Sequence, residues 1–519
     1  MAQATVVTRG AYHDSVALLT LARALRARPG VREAAVVMGT PANHDLLAQA
    51  GLLTDLARTA TANDLIVVVE AETAAGAEAA AGTTAPLLAE GAPREARGGR
   101  ARPRSIAGAV RQMPDANLAL ISVPGAFAAA EARAALGAGL HVILFSDNVA
   151  LADEIALKRQ ALAQGLLLMG PDCGTAYVAG VPLGFANAVP RGPVGLVAAS
   201  GTGLQQVATL LAGRDRGVSH AIGVGGRDMS EAVGGLMTLA GLERLGDDAG
   251  TEVIVVVGKP PAPAVGERVR AALAGIGKPA VVCLLGRDVT TRTEGAVTTV
   301  ATLEDAALAA DAAVGHAAWQ PRPFSAPDVP GRIGEARRAL GAGQSAVLGL
   351  FAGGTLAHES LLILEALLGP VASNLTGGRG RHRVLDLGAD EFTIARAHPM
   401  LDPTIRVEMI EHAGEQGNLA VLLLDVVLGH GAAADPAGDV APAIAAARAA
   451  ARAAGRGLAV VASVVGTAGD PQGLAAQVAR LEAAGVWVLP SNAQAARAAA
   501  AIAGGEPVLD GLLGPGARR

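Results

Sequence analysis

Two glycine-rich turns hold the residues of this sequence that are best suited to chemistry. The first is Ser200-Gly201-Thr202-Gly203 and the second is Ala352-Gly353-Gly354-Thr355. Each turn follows an apolar run and precedes a helical pattern, so the first backbone N–H groups of the helix lack acceptors beside the positive end of its dipole. Phosphate binds readily at such a position. The predicted phosphate-binding residues are Ser200, Gly201, Thr202, Gly203, Gly353, Gly354 and Thr355.

A single turn of this kind is also explained as an ordinary helix cap, because Ser, Thr and Gly are common capping residues. The two turns, however, occupy matched positions in an internal duplication of the chain. In both copies a strand enters the turn, two further strands follow, and a short strand and a helix end the copy. The strands before and after the turns are predicted at 194–198, 253–257 and 280–285, and at 346–350, 420–424 and 458–464. This repetition favours a functional role.

Further polar residues lie where open α/β sheets place ligand sites, after the ends of predicted strands. The predicted substrate-binding residues are Asp172, Cys173, Gly225, Gly226 and Arg227. Arg227 has the planar fork that suits a carboxylate, although an ion pair with Asp228 explains it equally well. Cys173 is also explained as a small buried thiol.

A dense group of acidic residues and a histidine follows the predicted strand 383–387. The predicted catalytic residues are Asp390, Glu391 and His398. His398 has a side chain that can shuttle a proton, but an ordinary loop histidine remains an alternative. The spacing of the carboxylates matches no recognisable ligand pattern, so we predict no metal.

Composition sets the class of the protein. The chain has 519 residues, 51% of them apolar, in runs too short to cross a bilayer. Short continuous runs of Val, Ile and Leu are typical of strands covered on both faces, which predicts an α/β fold with parallel sheets. A net charge of −5 and 2% aromatic residues argue against a nucleic-acid partner. Two cysteines and the absence of a signal-like N-terminus predict a cytoplasmic protein.

The same patterns divide the chain into domains. A small N-terminal α/β module is followed by a Rossmann-like domain and by two related doubly wound, flavodoxin-like domains. We expect the first linker from its Gly, Arg and Pro residues and the second from four prolines in 320–330, which should exclude helix. The predicted ranges are 1–90 for the module, 91–107 for a linker, 108–190 for the Rossmann-like domain, 191–318 and 333–519 for the duplicated domains, and 319–332 for the second linker.

From about Asn117 onward, the sequence contains the strings LALISVPGAF, MGPDCGT, GLVAASGTG and GVGG, and also GGRDMSEAVGG, FAGGTLAHE and DEFTIARAHPMLDP. The last three resemble the FdrA family, whose domains are similar to those of succinyl-CoA synthetase and related NDP-forming acyl-CoA synthetases. The first four resemble consecutive motifs of that synthetase's α-subunit. The second copy resembles the ligase domain of its β-subunit.

The resemblance also exposes a difference. In the synthetases, a phosphohistidine from a G-H-A-G-A string carries phosphate from an ATP-grasp domain and faces two helix N-termini. Here the corresponding residues are Thr293 to Val297 (TEGAV), and His316 comes later in the chain. No part of the sequence resembles an ATP-grasp domain. We therefore expect the two turns to hold phosphate without a histidine relay.

Some members of the FdrA family are linked to oxamate carbamoyltransferase in allantoin catabolism, with two other kinds of subunit. The resemblance implies carbamoyl phosphate or phosphate as ligand, a hetero-oligomer, and transfer between carbamoyl phosphate and oxamate. CoA binding by residues 117–189 remains possible, although the usual glycine loop is not evident. The alternatives are an acyl-CoA ligase subunit that borrows an ATP-grasp domain and a non-catalytic sensor of a phosphorylated metabolite.

Overall fold

The computed structural model describes residues 2–11, 15–91, 103–287, 289–393 and 398–514. The chain divides into two units, Met1–Arg102 with Ala389–His398, and Pro103–Gly388 with Pro399–Arg519. Most of the linker predicted at 91–107 lies outside the described ranges. Within these ranges, no helix combines the length and apolar character that a bilayer crossing requires. The α/β fold class is confirmed.

The first unit contains an antiparallel sheet with strand order β1-β3-β2. Sequence patterns predicted a strand, a helix and a strand, and the structure adds β3, whose residues Leu65 to Val69 are fully buried. Helix α1 buries Leu18, Leu21 and Leu25, the spacing of one apolar helix face, against this sheet. The elements before residue 92 are β1 (Ala2–Thr8), α1 (Ser15–Arg26), β2 (Val31–Met38), α2 (Pro41–Gln49), α3 (Asp55–Arg58), β3 (Leu65–Ala71), α4 (Ala74–Gly82) and α5 (Thr84–Gly91).

The second unit begins with a small parallel sheet, β4-β5-β6, flanked by helices. Its strands occupy the Rossmann-like positions that the sequence predicted, since parallel strands alternate with helices. Its elements are α6 (Ile106–Gln112), β4 (Leu118–Ile121), α7 (Gly125–Gly137), β5 (His141–Leu144), α8 (Leu151–Ala163) and β6 (Leu168–Met169).

The first duplicated copy forms an eight-stranded sheet with the order β13-β14-β12-β11-β9-β10-β7-β8. Its parallel part is β10-β9-β11-β12-β14, which is the flavodoxin-like order 2-1-3-4-5 when β9 is counted first. Its elements are β7 (Thr175–Val178), β8 (Val181–Gly184), β9 (Val194–Ala198), α9 (Gly201–Ala212), β10 (Val218–Gly223), α10 (Leu236–Asp247), β11 (Val253–Gly258), α11 (Pro263–Ile276), β12 (Ala280–Leu284), β13 (Arg292–Glu294), β14 (Val297–Thr299) and α12 (Leu303–Val314).

The second copy repeats this topology in a six-stranded parallel sheet, β16-β17-β15-β18-β19-β20. With β15 counted first, strands β17-β15-β18-β19-β20 again have the order 2-1-3-4-5. Its elements are α13 (Val329–Arg338), β15 (Ala346–Phe351), α14 (Gly354–Leu368), β16 (Val371–Ser373), β17 (His382–Asp386), α15 (Asp390–Thr393, in the first unit), α16 (Thr404–Ala413), β18 (Leu419–Val427), α17 (Pro436–Ala453), β19 (Ala459–Val465), α18 (Leu474–Ala483), β20 (Trp487–Leu489), α19 (Asn492–Gly504) and α20 (Glu506–Leu513).

One expectation about the region between the copies is wrong. The prolines of 320–330 do not exclude helix throughout, because α13 begins at Val329 and Pro330 lies in its first turn. A proline there removes no hydrogen bond, since the first N–H groups of a helix have no intrahelical acceptor.

Helices α9 and α12 of the first copy contact α14 and α19 of the second. Leu204 and Val207 of α9, with Leu356 and Leu361 of α14, are fully buried in one shared core. Helix α19 contributes a run of buried alanines from Ala498 to Ala501, whose small side chains allow close approach. This packing brings the starts of α9 and α14 together.

The same interface contains a reciprocal polar contact. Glu359, six residues after Gly353, accepts a hydrogen bond from Leu303 N at the start of α12 (2.7 Å). Gln206, six residues after Ser200, accepts one from Asn492 N at the start of α19 (3.4 Å). Each copy thus satisfies a first-turn N–H of the other copy from the same position.

Candidate functional site

The two glycine-rich turns face each other across the interface of the duplicated copies. Ser200 Oγ and Thr355 Oγ1 are hydrogen-bonded at 2.6 Å. The glycines permit this approach: a Cβ on Gly353 would lie 3.1 Å from Thr202 Cβ, and one on Gly203 would lie 3.1 Å from Thr355 Cγ2. The turns that sequence patterns paired therefore meet in space.

The first turn keeps backbone donors available. Ser200 caps α9 by accepting a hydrogen bond from Gly203 N at 2.9 Å, which satisfies one first-turn N–H group. The N–H groups of Gly201 and Thr202 have no acceptor among the described residues. They lie at the positive end of α9, where a helix most readily binds an anion.

The second turn differs, because a side chain of the protein already occupies part of it. Asp425, fully buried in β18, accepts hydrogen bonds from Ala352 N at 2.8 Å and Gly353 N at 2.7 Å. Its charge is balanced by buried Arg406, whose Nη2 lies 2.9 Å from Asp425 Oδ1 and also donates to Leu350 O at 3.0 Å. The Gly353 N–H therefore already has an acceptor within the protein, and phosphate binding at Gly353 stays a prediction.

At the second turn, a ligand can still bind the N–H groups at the start of α14. The N–H groups of Gly354 and Thr355 have no acceptor within the described ranges, and the Thr355 hydroxyl points at Ser200. Asp386 lies close by, since a Cβ on Gly354 would be 2.5 Å from Asp386 Oδ2. With two carboxylates beside it, the second turn is less favourable to an anion than the first.

The place where the resemblance puts the family's histidine contains an exposed hairpin. Strands β13 and β14 pair antiparallel there, with Glu294 opposite Val297. His316 lies after α12, later in the chain than this hairpin as the sequence indicated, and its side chain is exposed.

Another histidine, which sequence reasoning overlooked, lies on α14. His358 comes three residues after Thr355, so the two share a helix face. Burial lowers the pKa of His358, the positive charges of Lys259 and Arg287 lower it further, and a hydrogen bond with the backbone of Leu285 opposes them. Leu285 and Lys259 directly follow β12 and β11, so His358 faces the carboxyl edge of the first copy's sheet. Its three-residue spacing from Thr355 was the available sequence signal.

The predicted substrate residues near β6 differ in accessibility. Asp172 is exposed, with a left-handed φ of 59°, and its N–H donates to Ser146 O at 3.0 Å. Cys173 lies in the hydrophobic core, and burial raises the pKa of its thiol to about 12. A protonated, buried thiol is a packing group, so the structure favours the alternative interpretation of Cys173 over substrate binding.

The predicted Gly225-Gly226-Arg227 segment forms a close turn. Gly225 is buried with a φ of 82°, a conformation that favours glycine, whereas Gly226 is exposed. Arg227 Nη2 lies 2.8 Å from Glu154 Oε2 and donates to Val149 O at 2.8 Å. The alternative interpretation, an ion pair between Arg227 and Asp228, is therefore wrong. Asp228 is buried and accepts a hydrogen bond from Lys158 Nζ at 2.8 Å, because a buried carboxylate needs a buried cation.

The predicted catalytic residues Asp390, Glu391 and His398 belong to the first unit, whereas both turns belong to the second. Glu391 is exposed. Burial lowers the pKa of His398 to about 4, so its imidazole is neutral at pH 7. Residues 394–397 lie outside the described ranges. The catalytic role of these residues stays a prediction.

Among the described residues, no group of three or more His, Cys, Asp or Glu side chains is arranged to hold a metal ion. The N-terminal 104 residues nevertheless match a family model described as AllF, heavy metal-associated domain. That segment contains no cysteine. Residues 350–502 match a second model, described as CoA-ligase.

One relative matches this chain over nearly its whole length. The uncharacterized protein YahF of Escherichia coli (strain K12) is 38% identical over 505 residues, covering 94% of this chain and 96% of YahF. The succinate–CoA ligase [ADP-forming] subunit alpha 2 of Archaeoglobus fulgidus is 31% identical over 162 residues, which is 30% of this chain and 54% of that subunit.

Solved structures resemble the fold only loosely. The dinucleotide-forming acetyl-coenzyme A synthetase 1 of Ca. Korarchaeum cryptofilum, in its apo form, has 17% identity and a TM-score of 0.31, with 74% of this chain and 82% of that chain covered.

Proposed function

Since the chain belongs to the same family as Escherichia coli YahF, and that family is acyl-CoA synthetase-like, we propose that it transfers a carbamoyl group from carbamoyl phosphate. Oxamate is the proposed acceptor, as the resemblance to the FdrA family implies. The protein acts as one subunit of a carbamoyltransferase. The observation that carries this proposal is the pairing of two helix N-termini, at Ser200 and Thr355, with no histidine in the hairpin at 292–299.

The proposed reaction needs a phosphate site and no phosphoenzyme. The oxamate amide nitrogen attacks the carbamoyl carbon, the bond from that carbon to the phosphate oxygen breaks, and the nitrogen loses a proton. The products are oxalurate and inorganic phosphate. Negative charge grows on the leaving phosphate, and preorganised N–H donors stabilise such charge. Gly201 and Thr202 supply these donors at α9, and Gly354 and Thr355 supply them at α14.

The difference in charge between the two turns supports phosphate binding at the first turn. Asp425 and Asp386 lie at the second turn, so the phosphate binds primarily at α9. Lys259, exposed at the end of β11, adds positive charge on the same edge of the sheet. The Ser200 and Thr355 hydroxyls exchange their mutual hydrogen bond for bonds to phosphate oxygens when the ligand binds.

His358 is the proposed group that accepts the proton from the attacking nitrogen. It shares a face of α14 with Thr355, and its lowered pKa keeps the imidazole neutral at pH 7, the form that accepts a proton. This role is independent of Asp390, Glu391 and His398, which remain candidates from the sequence.

The test compares substrates on the complete chain, alone and with the products of neighbouring genes. Carbamoyl phosphate with oxamate should release phosphate above the rate without oxamate, and oxalurate should form in equal amount. The Gly201→Val variant, altered at the first turn, should lose this release. Gly275→Val is its matched control, because a Cβ at Gly275 meets no atom within 4 Å. No phosphate release in any combination contradicts the proposal.

An acyl-CoA ligase subunit is the second candidate, favoured by the CoA-ligase match at 350–502 and the similarity to a succinate–CoA ligase α-subunit. In that case ATP, CoA and a carboxylic acid should yield a thioester once an ATP-grasp partner is supplied. A thioester without oxamate-dependent phosphate release would establish this second function instead.

A further inference from the structure

A basic cavity lies in the second copy, away from the glycine-rich turns. Its volume is about 380 Å³, and its lining includes Arg332, Arg448, Arg452 and Arg456. Glu335 is the one acidic residue of the lining within the described part of the chain. We call this feature the arginine pocket.

The arginine pocket lies at the opposite edge of the sheet from the turns. Its floor is formed by Ala459 to Val461 at the start of β19 and by Trp487 at the start of β20. The turns follow the carboxyl ends of β9 and β15, and the strands of the second copy are parallel. The seven residues of β19 span roughly 20 Å, so a small ligand cannot reach both sites.

Backbone carbonyls, and not carboxylates, position two of the four guanidinium groups. Arg448 Nη1 donates to Ala484 O at 2.9 Å. Arg456 donates from Nη1 to Gln416 O at 2.8 Å and from Nη2 to Gly414 O at 2.9 Å. These bonds hold the cations in place without neutralising them.

Glu335 compensates only part of the positive charge of the four arginines. None of the four arginines has a carboxylate within 4.0 Å in the ranges that the structure covers. Arg448 and Arg452 lie one turn apart on α17, a spacing at which like charges repel. Burial, followed by the charge of Arg452, lowers the pKa of Arg448. A bound anion would remove this repulsion.

The shape and chemistry of the pocket restrict the anion. Arg332 lies over the Trp487 ring, 5.0 Å from its centroid, which holds a third cation at the wall. Guanidinium groups bind phosphate oxygens through two parallel hydrogen bonds. The volume falls in the range of small-molecule sites and exceeds what a single phosphate needs. Ala459 and Val460 add apolar surface beside the cations.

We propose that the arginine pocket binds a small molecule with two or more linked phosphates, of the nucleoside diphosphate class, through Arg448, Arg452 and Arg332. Arg448 and Arg452 contact the phosphates, and the apolar floor receives the rest of the molecule. The proposal is independent of the carbamoyl transfer assigned to the turns.

Calorimetric titration of the complete chain at constant ionic strength tests this site with ADP and pyrophosphate as probes. Both should bind saturably, and AMP should bind more weakly. Arg448→Gln with Arg452→Gln should weaken ADP binding at least about tenfold, because charge-assisted hydrogen bonds are lost. The matched control is Arg159→Gln, which removes an exposed arginine of α8.

Two further variants keep the test decisive. Arg452→Gln alone alters an exposed side chain and should fold normally while still weakening ADP binding. Gly201→Val changes the first turn and should leave ADP binding unchanged. Absence of saturable binding, equal affinity in the Arg452→Gln variant, or loss of ADP binding in Gly201→Val would each overturn the proposal.

Discussion

Ser200 Oγ and Thr355 Oγ1 lie 2.6 Å apart, although 155 residues separate them in the chain. Each hydroxyl belongs to the first turn of a helix that follows the first strand of a duplicated 2-1-3-4-5 sheet. The duplication therefore brings two equivalent helix starts together. The N–H groups at Gly201 and Thr202 make the first start the better anion site, because Asp425 already binds the second turn.

Gly201→Val should weaken binding of inorganic phosphate at least about tenfold, because a larger side chain at the helix start blocks close approach to the N–H groups. The fold should tolerate the change, since a Cβ at this position would lie 3.3 Å from Thr175 Oγ1 and meets no backbone atom. Calorimetric titration with phosphate measures the effect. Gly275→Val should bind phosphate as the unchanged protein does, and equal affinity in both variants would remove the first turn from the site.

Asp425→Asn should lower the free energy of unfolding by about 3–5 kcal/mol, because it leaves Arg406 buried without its counter-charge. The two side chains are 0% and 5% exposed, so water cannot replace the lost partner. Urea denaturation provides the measurement. Glu294→Gln removes an exposed ion pair with Arg292 and should change stability by less than about 1 kcal/mol. A similarly small effect of Asp425→Asn would contradict a buried ion pair at the second turn.

The stability of the interface should fall as pH rises, because of Glu359. Burial raises the pKa of this carboxyl from 4.5 to about 7 in the folded protein. Folding thus favours the protonated form of Glu359. Its contribution to the free energy of unfolding is complete below about pH 4.5 and is lost as pH rises through 7.

Comparing urea midpoints of wild type and Glu359→Gln at pH 5 and pH 8 tests this linkage. The variant should gain stability relative to wild type between the two pH values, by up to about 3 kcal/mol. An equal stability difference between the two proteins at both pH values would contradict a raised pKa of Glu359 in the folded protein.

His358→Gln should slow oxamate-dependent phosphate release by about 10²- to 10⁴-fold, because the variant lacks the proposed proton acceptor. In wild type, kcat/KM should rise with pH through a pKa below 6.5 and then stay level, since the pKa of His358 is lowered. The variant should lack this step. His316→Gln, at an exposed position after α12, serves as the control. An unchanged pH profile in His358→Gln would assign proton transfer to another group.

Much of this fold could be predicted because its signals are local. Apolar runs such as 253–257 and 346–350 indicate buried strands. The glycines and hydroxyl side chains of the two glycine-rich turns indicate where a helix begins. The matched order of these elements indicated the duplication, and five strands of each sheet do share the order 2-1-3-4-5. Strands β7 (TAYV), β8 (VPLG) and β10 (VSHAIG) were missed, because none of them contains four consecutive apolar residues.

The site was less predictable because its decisive contacts are distant in sequence. Asp425 follows Gly353 by 72 residues, and only the parallel register of β15 and β18 brings its carboxylate to the turn. Arg227 pairs with Glu154, 73 positions earlier, and not with its neighbour Asp228. Sequence patterns locate strand ends, but they do not show which charged side chain reaches which strand end.

The most direct test of the central claim is the rate of phosphate release from carbamoyl phosphate with oxamate, measured for wild type and Gly201→Val in the presence of the same partner subunits. We expect rapid release by wild type and a rate near background for the variant, with Gly275→Val close to wild type. Equal rates for wild type and Gly201→Val would show that the phosphate does not bind at the start of α9 and would contradict the account.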